Sequence, residues 1–265
     1  MSPRDRVAAL LSGLTAGVAG GLLGVGGGMI LVPLLTGRFR LSQHRAHGTS
    51  LAVVGATAVS SLVVYGARSS VAWEVALPVG VASIFTVRIG ARLANRLSSA
   101  ALTRAFSIFL VVVALRLLWH PQSGTAFGRP SGLASTGLGV GIGASAGLLA
   151  GFMGVGGGII AVPAFTLLLG MSQRIAQGTS LAMILATAPV GTIENSRHGN
   201  VAWPLVPTLA VGAAVGGPLA AWCAHLIPQT ILARGFAVFL VASAVHAWVR
   251  AGGRGSAESA RKTTG

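Results

Sequence analysis

The stretch GVGGGMILVP, Gly24 to Pro33, returns almost unchanged 130 positions later as GVGGGIIAVP, Gly154 to Pro163. Nine of the thirteen residues from Gly21 to Pro33 have an identical partner at that offset, as do eight of the eleven from Ser42 to Ala52. Most of the chain is therefore two related halves, and any function has to be built from both.

Of the 265 residues, 53% are hydrophobic and 9% charged, and the mean hydropathy is +0.78. Soluble domains carry about 25% charged residues, so this chain has too little polar surface to stay in water. Apolar runs of about 20 residues separated by short Arg-bearing connections predict an all-α polytopic membrane protein embedded in the lipid bilayer. A β-barrel would instead show alternation over strands of about 10 residues. The net charge of +15 is scattered over the ends of the apolar runs, which argues against nucleic-acid binding. Cys223 is the only cysteine, which excludes an internal disulfide and a Cys-based metal cluster.

Each half divides into four apolar segments, eight in all: roughly 7–37, 47–66, 71–94 and 102–119 in residues 1–119, and 132–170, 177–193, 201–226 and 231–249 in residues 131–250. HPQSGTAFGRP, residues 120–130, reads as a linker, and residues 251–265 as a disordered basic tail. Arg4 and Arg6 before an apolar run imitate a signal peptide, but residues 13–33 match an internal segment, 143–163, so the run reads as retained. The first segment of each half is long: residues 7–37 are 31 residues where about 20 suffice to cross. A glycine triplet in its middle, with Pro33 or Pro163 beyond, predicts a helix that is broken or re-entrant there. If those segments return to their own side, 14 Lys and Arg share one face against four on the other. That asymmetry predicts six crossings plus two hairpins, inverted halves and both termini in the cytoplasm. Glycines spaced by four, Gly13, Gly17 and Gly21 with Gly143, Gly147 and Gly151, read as helix-packing faces.

The triplets lack the preceding strand of a dinucleotide site and the Lys of a phosphate loop. Inside a membrane, a break of this kind exposes the N-terminus of a half-helix, with free N–H groups and about half a positive charge, which suits an anion. Gly26, Gly27, Gly28, Gly156, Gly157 and Gly158 are thus candidate substrate contacts. The second repeated motif, SQHRAHGTSLA (Ser42–Ala52) and SQRIAQGTSLA (Ser172–Ala182), sets two hydroxyls at the start of an apolar run. Thr49, Ser50, Thr179 and Ser180 are expected to cap helix N-termini, to donate to the same oxyanion, or both.

Glu194 stands three residues before Arg197, the spacing of a local ion pair; the alternative is a proton-coupling carboxylate. His44 and His47 correspond to Arg174 and Gln177 in the other half, which argues against metal ligation, and neither a cofactor nor a catalytic cluster is expected. Trp73 and Trp203 read as interfacial anchors, and Arg116 as a snorkelling residue.

Two four-segment halves, each opening with G-x-G-G-G-x-x-x-x-P and followed by G-T-S, resemble the TauE/SafE family of sulfite exporters. The resemblance spans about Val7 to Val249 and implies a transporter of the cell inner membrane, moving small anions such as sulfite or organosulfonates down an ion gradient's drive without ATP. The expectation is a secondary transporter, with a passive anion channel of the same fold as the alternative and homo-oligomer formation left open.

Overall fold

Glycine interrupts what would otherwise be two very long apolar helices, and the architecture follows from where those interruptions fall. The computed structural model describes residues 3–94, 100–119 and 133–262. They form α1 (Pro3–Leu23), α2 (Gly28–Gly37), α3 (Gln43–Ala67), α4 (Trp73–Ala94), α5 (Ala100–Trp119), α6 (Leu133–Met153), α7 (Gly158–Leu168), α8 (Gln173–Arg197), α9 (Val206–Leu226) and α10 (Gln229–Lys262), with no strand among the described residues. The long first segment of each half is two helices, α1 with α2 and α6 with α7. The starts of α6, α7 and α8 fall 130 residues after those of α1, α2 and α3. The expected linker, residues 120–130, lies outside the described residues. The stretch expected as a disordered tail is instead helical as far as Lys262, in keeping with the helix-forming Ala257, Glu258, Ala260 and Arg261.

Among the described residues five helices are long and apolar enough to cross a membrane: α1, α3, α4, Thr136–Met153 within α6, and α9. Their faces are arranged opposite to those of a soluble protein. On α4, Leu77, Val81, Phe85 and Ile89 are all more than half exposed, and on α9 so are Val211, Val215, Leu219 and Leu226. The inward faces carry glycine, alanine and hydroxyls, including buried Gly212, Gly216, Gly217 and Ala221 on α9 and Ser83 on α4. Outward apolar stripes about a turn apart need a hydrocarbon solvent, so the chain is a multi-pass membrane protein.

The chain divides into two compact units, one built from α1–α4 and α6–α9 and the other from α5 and α10, so each unit draws on both halves of the sequence. In the larger unit the glycine ridges do what their spacing predicts. A Cβ on Gly13, Gly17 or Gly21 of α1 would overlap the carbonyls of Leu209, Ala213 and Gly217 on α9. A Cβ on Gly143, Gly147 or Gly151 of α6 would overlap those of Val79, Ser83 and Val87 on α4. Backbones approach this closely only where side chains are missing. The smaller unit is a helix pair, α5 against α10, with Leu110 and Ala114 on one side and Phe236 and Leu240 on the other fully buried.

Helix α2 doubles back along α1. Ala9 and Ala16 of α1 share one buried cluster with Leu31, Val32 and Leu35 of α2, and Arg38 Nη2, just beyond α2, lies 3.5 Å from Asp5 Oδ1 near the start of α1. Both ends of this hairpin therefore sit on one side of the bundle. At about 1.5 Å per residue α1 is about 31 Å long and α2 about 15 Å, and the break, with Gly26 beside Gly20 and Gly27 beside Ala16, makes up the rest of the return.

Candidate functional site

The two breaks run against each other inside the larger unit. A Cβ on Gly28 would lie 2.7 Å from Val155 Cα and 3.0 Å from Gly154 O; one on Gly158 would lie 2.7 Å from Val25 Cα and 2.8 Å from Gly24 O. The beginning of α2 thus abuts the second break, and the beginning of α7 abuts the first. Gly24, Gly26 and Gly27 have φ of 71°, 74° and 83°, and Gly154, Gly156 and Gly157 have 70°, 80° and 76°. Gly27 and Gly157 are the N-caps of α2 and α7. Only glycine takes this left-handed backbone without a steric cost, so the triplets set the direction in which each half-helix starts.

Helix starts leave amides without intrahelical acceptors. The Ile30 and Leu31 amides donate to Gly27 O, and those of Ile160 and Ala161 to Gly157 O; the amides of residues 25–29 and 155–159 have no acceptor among the described residues. Each start therefore presents a run of free donors at the positive end of a helix dipole.

Ser50 and Ser180 point at these starts. Ser50 Oγ is 3.1 Å from where a Gly28 Cβ would stand, and Ser180 Oγ is 2.9 Å from the equivalent point at Gly158. Both side chains are fully buried, and neither hydroxyl has a hydrogen-bond partner among the described residues. Buried polar atoms are nearly always paired, so two unpaired hydroxyls at matching positions of the repeat stand apart from the rest of the interior. Gly26 to Gly28 and Gly156 to Gly158 are buried with them.

Thr49 and Thr179 take another part. The Thr49 hydroxyl donates to Arg45 O at 2.6 Å and accepts from the Ala202 amide at 2.9 Å; the Thr179 hydroxyl accepts from the Ala72 amide at 3.0 Å. They fasten the strands of chain leading into α9 and α4. The expectation that the Gly-Thr-Ser hydroxyls cap helix N-termini is corrected: α3 starts at Gln43, where the Arg45 amide donates to the Ser42 hydroxyl, and α8 starts at Gln173. Both helices continue beyond their apolar runs into the polar SQ turns, so the hydroxyls sit about two turns inside.

Glu194 is buried near the end of α8, and its nearer cationic partner is Arg92 of α4, whose Nε donates to Oε1 at 2.8 Å; Arg197 is 3.9 Å away. The sequence reading therefore named the weaker partner, because nothing in the chain links residues 102 apart. It also passed over Tyr65, whose hydroxyl lies 3.1 Å from both Gly21 O and Gln177 Oε1 and can donate its one proton to either, and Gln173 and Gln177, which keep buried polar atoms unpartnered among the described residues. A cavity of about 590 Å³ lined by Asp5, Arg38, Phe39, Arg40 and Leu205 lies beyond the far end of α2, away from the breaks.

The sequence profile described as Sulfite exporter TauE/SafE matches residues 9–247. The chain belongs to the TauE/SafE family. Among its relatives, the probable membrane transporter protein YunE of Bacillus subtilis is 29% identical over 231 residues, covering 79% of this chain and 85% of YunE. A probable membrane transporter protein of Xylella fastidiosa is 27% identical over 254 residues, covering 93% of this chain and 96% of the relative. Haemophilus influenzae has a probable membrane transporter protein 26% identical over 265 residues, covering 91% and 97%. No solved structure matches the chain. TauE/SafE membership and these relatives agree with a membrane transporter.

Proposed function

We propose that this TauE/SafE protein is a secondary transporter, an exporter of small anions such as sulfite or organosulfonates across the inner membrane. The observation that carries the reading is the pair of buried, unpartnered hydroxyls, Ser50 and Ser180, directed at two half-helix starts whose amides are also free. N–H and hydroxyl donors at positive helix ends bind an oxyanion without placing a full cation in the bilayer. Gly26, Gly27, Gly28, Gly156, Gly157 and Gly158 supply the amides and the shape; Thr49 and Thr179 hold the surrounding chain.

The same reading gives the chain two inverted four-segment halves, with both hairpins returning to their own face and both termini in the cytoplasm. The Asp5–Arg38 pair, joining the two ends of the first hairpin, supports it. Glu194, buried beside Arg92, is the proposed coupling carboxylate.

The test is transport in proteoliposomes with sulfite, a short alkyl sulfonate and chloride as probes. Accumulation of sulfite or the sulfonate, but not chloride, against its gradient when a proton gradient is imposed is the expected result, with the gradient dependence lost in Glu194→Gln. Downhill flux indifferent to the gradient means a passive channel. A Gly27→Leu protein that inserts normally and transports at full rate contradicts the site.

A further inference from the structure

Helices α3 and α8 each carry a polar stripe from one end to the other. On α3 it passes from Gln43 through His47, Ser50, Thr57 and Ser61 to Tyr65; on α8 it passes from Gln173 through Gln177, Ser180 and Thr187 to Asn195. At 100° per residue these positions stay within an arc of about 80°, a single face of each helix. Six side chains have buried polar atoms without a hydrogen-bond partner among the described residues, and five of them, Ser50, Ser61, Gln173, Gln177 and Ser180, lie on these two faces. Unsatisfied polar groups at membrane depth are costly and belong where water or a solute passes.

Each stripe is interrupted by one apolar side chain, and the two interruptions correspond: Val54 lies one turn beyond Ser50, and Ile184 one turn beyond Ser180. Both are fully buried. Val54 Cγ1 lies 2.5 Å from where a Cβ would stand on Gly26 and 2.7 Å from the same point on Gly156, and Ile184 Cδ1 lies 3.6 Å from each. The pair is thus wedged between the two breaks, where the halves meet.

We propose that the two stripes are the walls of the path along which the anion moves, and that Val54 and Ile184 form the apolar gate between its two ends. An ion crossing such a layer must shed its water, so the layer stays shut until the breaks move apart. The proposal rests on the anion-transport reading for what is carried, but its test does not use that cargo.

In a Cys223→Ser background, Ser61→Cys samples the path and Val59→Cys, on the opposite, half-exposed face of α3, is the control. The probe is sulfonatoethyl methanethiosulfonate, an anionic thiol reagent that does not cross bilayers, applied from either side of oriented vesicles. Ser61→Cys is expected to react at least tenfold faster than Val59→Cys, and only from the side where α3 ends. Adding Val54→Thr, which keeps the shape and wets the layer, or Val54→Ala with Ile184→Ala, is expected to raise labelling from the opposite side at least tenfold. The proposal is overturned if Ser61→Cys labels no faster than Val59→Cys, if it labels equally from both sides at the outset, or if neither gate variant changes the sidedness. A protein that labels as expected yet moves no sulfite overturns the substrate and keeps the path.

Discussion

Replacing Ser50 or Ser180 by alanine should make the empty protein more stable and the loaded protein less so. In the structure each hydroxyl is fully buried with no partner among the described residues, so without anion it carries the desolvation cost of an unsatisfied group, about 1–3 kcal/mol. Alanine removes that cost and leaves only a small void. For a chain of this size, about 1 kcal/mol corresponds to roughly 2–4 °C in Tm, so each variant should melt about 2–12 °C higher without anion. A hydroxyl donating to a charged oxygen contributes about 1.5–3 kcal/mol, so the same variants should bind sulfite or a sulfonate roughly 10- to 150-fold more weakly. The assay is thermal unfolding of detergent-purified protein over an anion titration, which yields the empty Tm and the ligand-induced shift from one experiment. A variant that melts lower than the parent while its titration is unchanged would refute the reasoning, because the hydroxyl would then be a structural tie and not a vacant donor.

Gly147→Val puts a side chain where the Ser83 carbonyl lies, whereas a Cβ at Gly141 meets nothing within 4 Å. Gly147→Val should abolish the monodisperse peak in size-exclusion chromatography, while Gly141→Ala should raise stability by about 0.5–1 kcal/mol. Tyr65→Phe removes the one hydroxyl within reach of Gly21 O and Gln177 Oε1 and leaves the Gln177 side chain with no partner among the described residues. A loss of about 1–3 kcal/mol follows, seen as a fall in Tm of roughly 2–12 °C.

What the chain discloses by itself is what glycine discloses. Residue identity reports backbone geometry directly at Gly27 and Gly157, where φ is positive, and at Gly13 or Gly147, where a neighbour's carbonyl occupies the place of a side chain. The repeat multiplies that signal, so the broken helices, the packing ridges and the two breaks were all legible. Contacts between the halves were not. Arg92 with Glu194, Tyr65 with Gln177 and Thr49 with the Ala202 amide join residues more than 100 apart, through atoms whose pairing no local pattern encodes. The hydroxyls divided for the same reason: Thr49 and Ser50 are adjacent in sequence but 100° apart on α3, so one meets the segment before α9 and the other the start of α2.

The seating of α1 on α9 and of α6 on α4 has a consequence for how such a protein can arise. Each ridge finds its groove in the opposite half, so a gene encoding one half alone would make a chain whose glycine ridge and matching groove can be filled only by a second molecule. A chain of that length would have to work as an interlocked pair, each copy lending its first helix to the groove of the other.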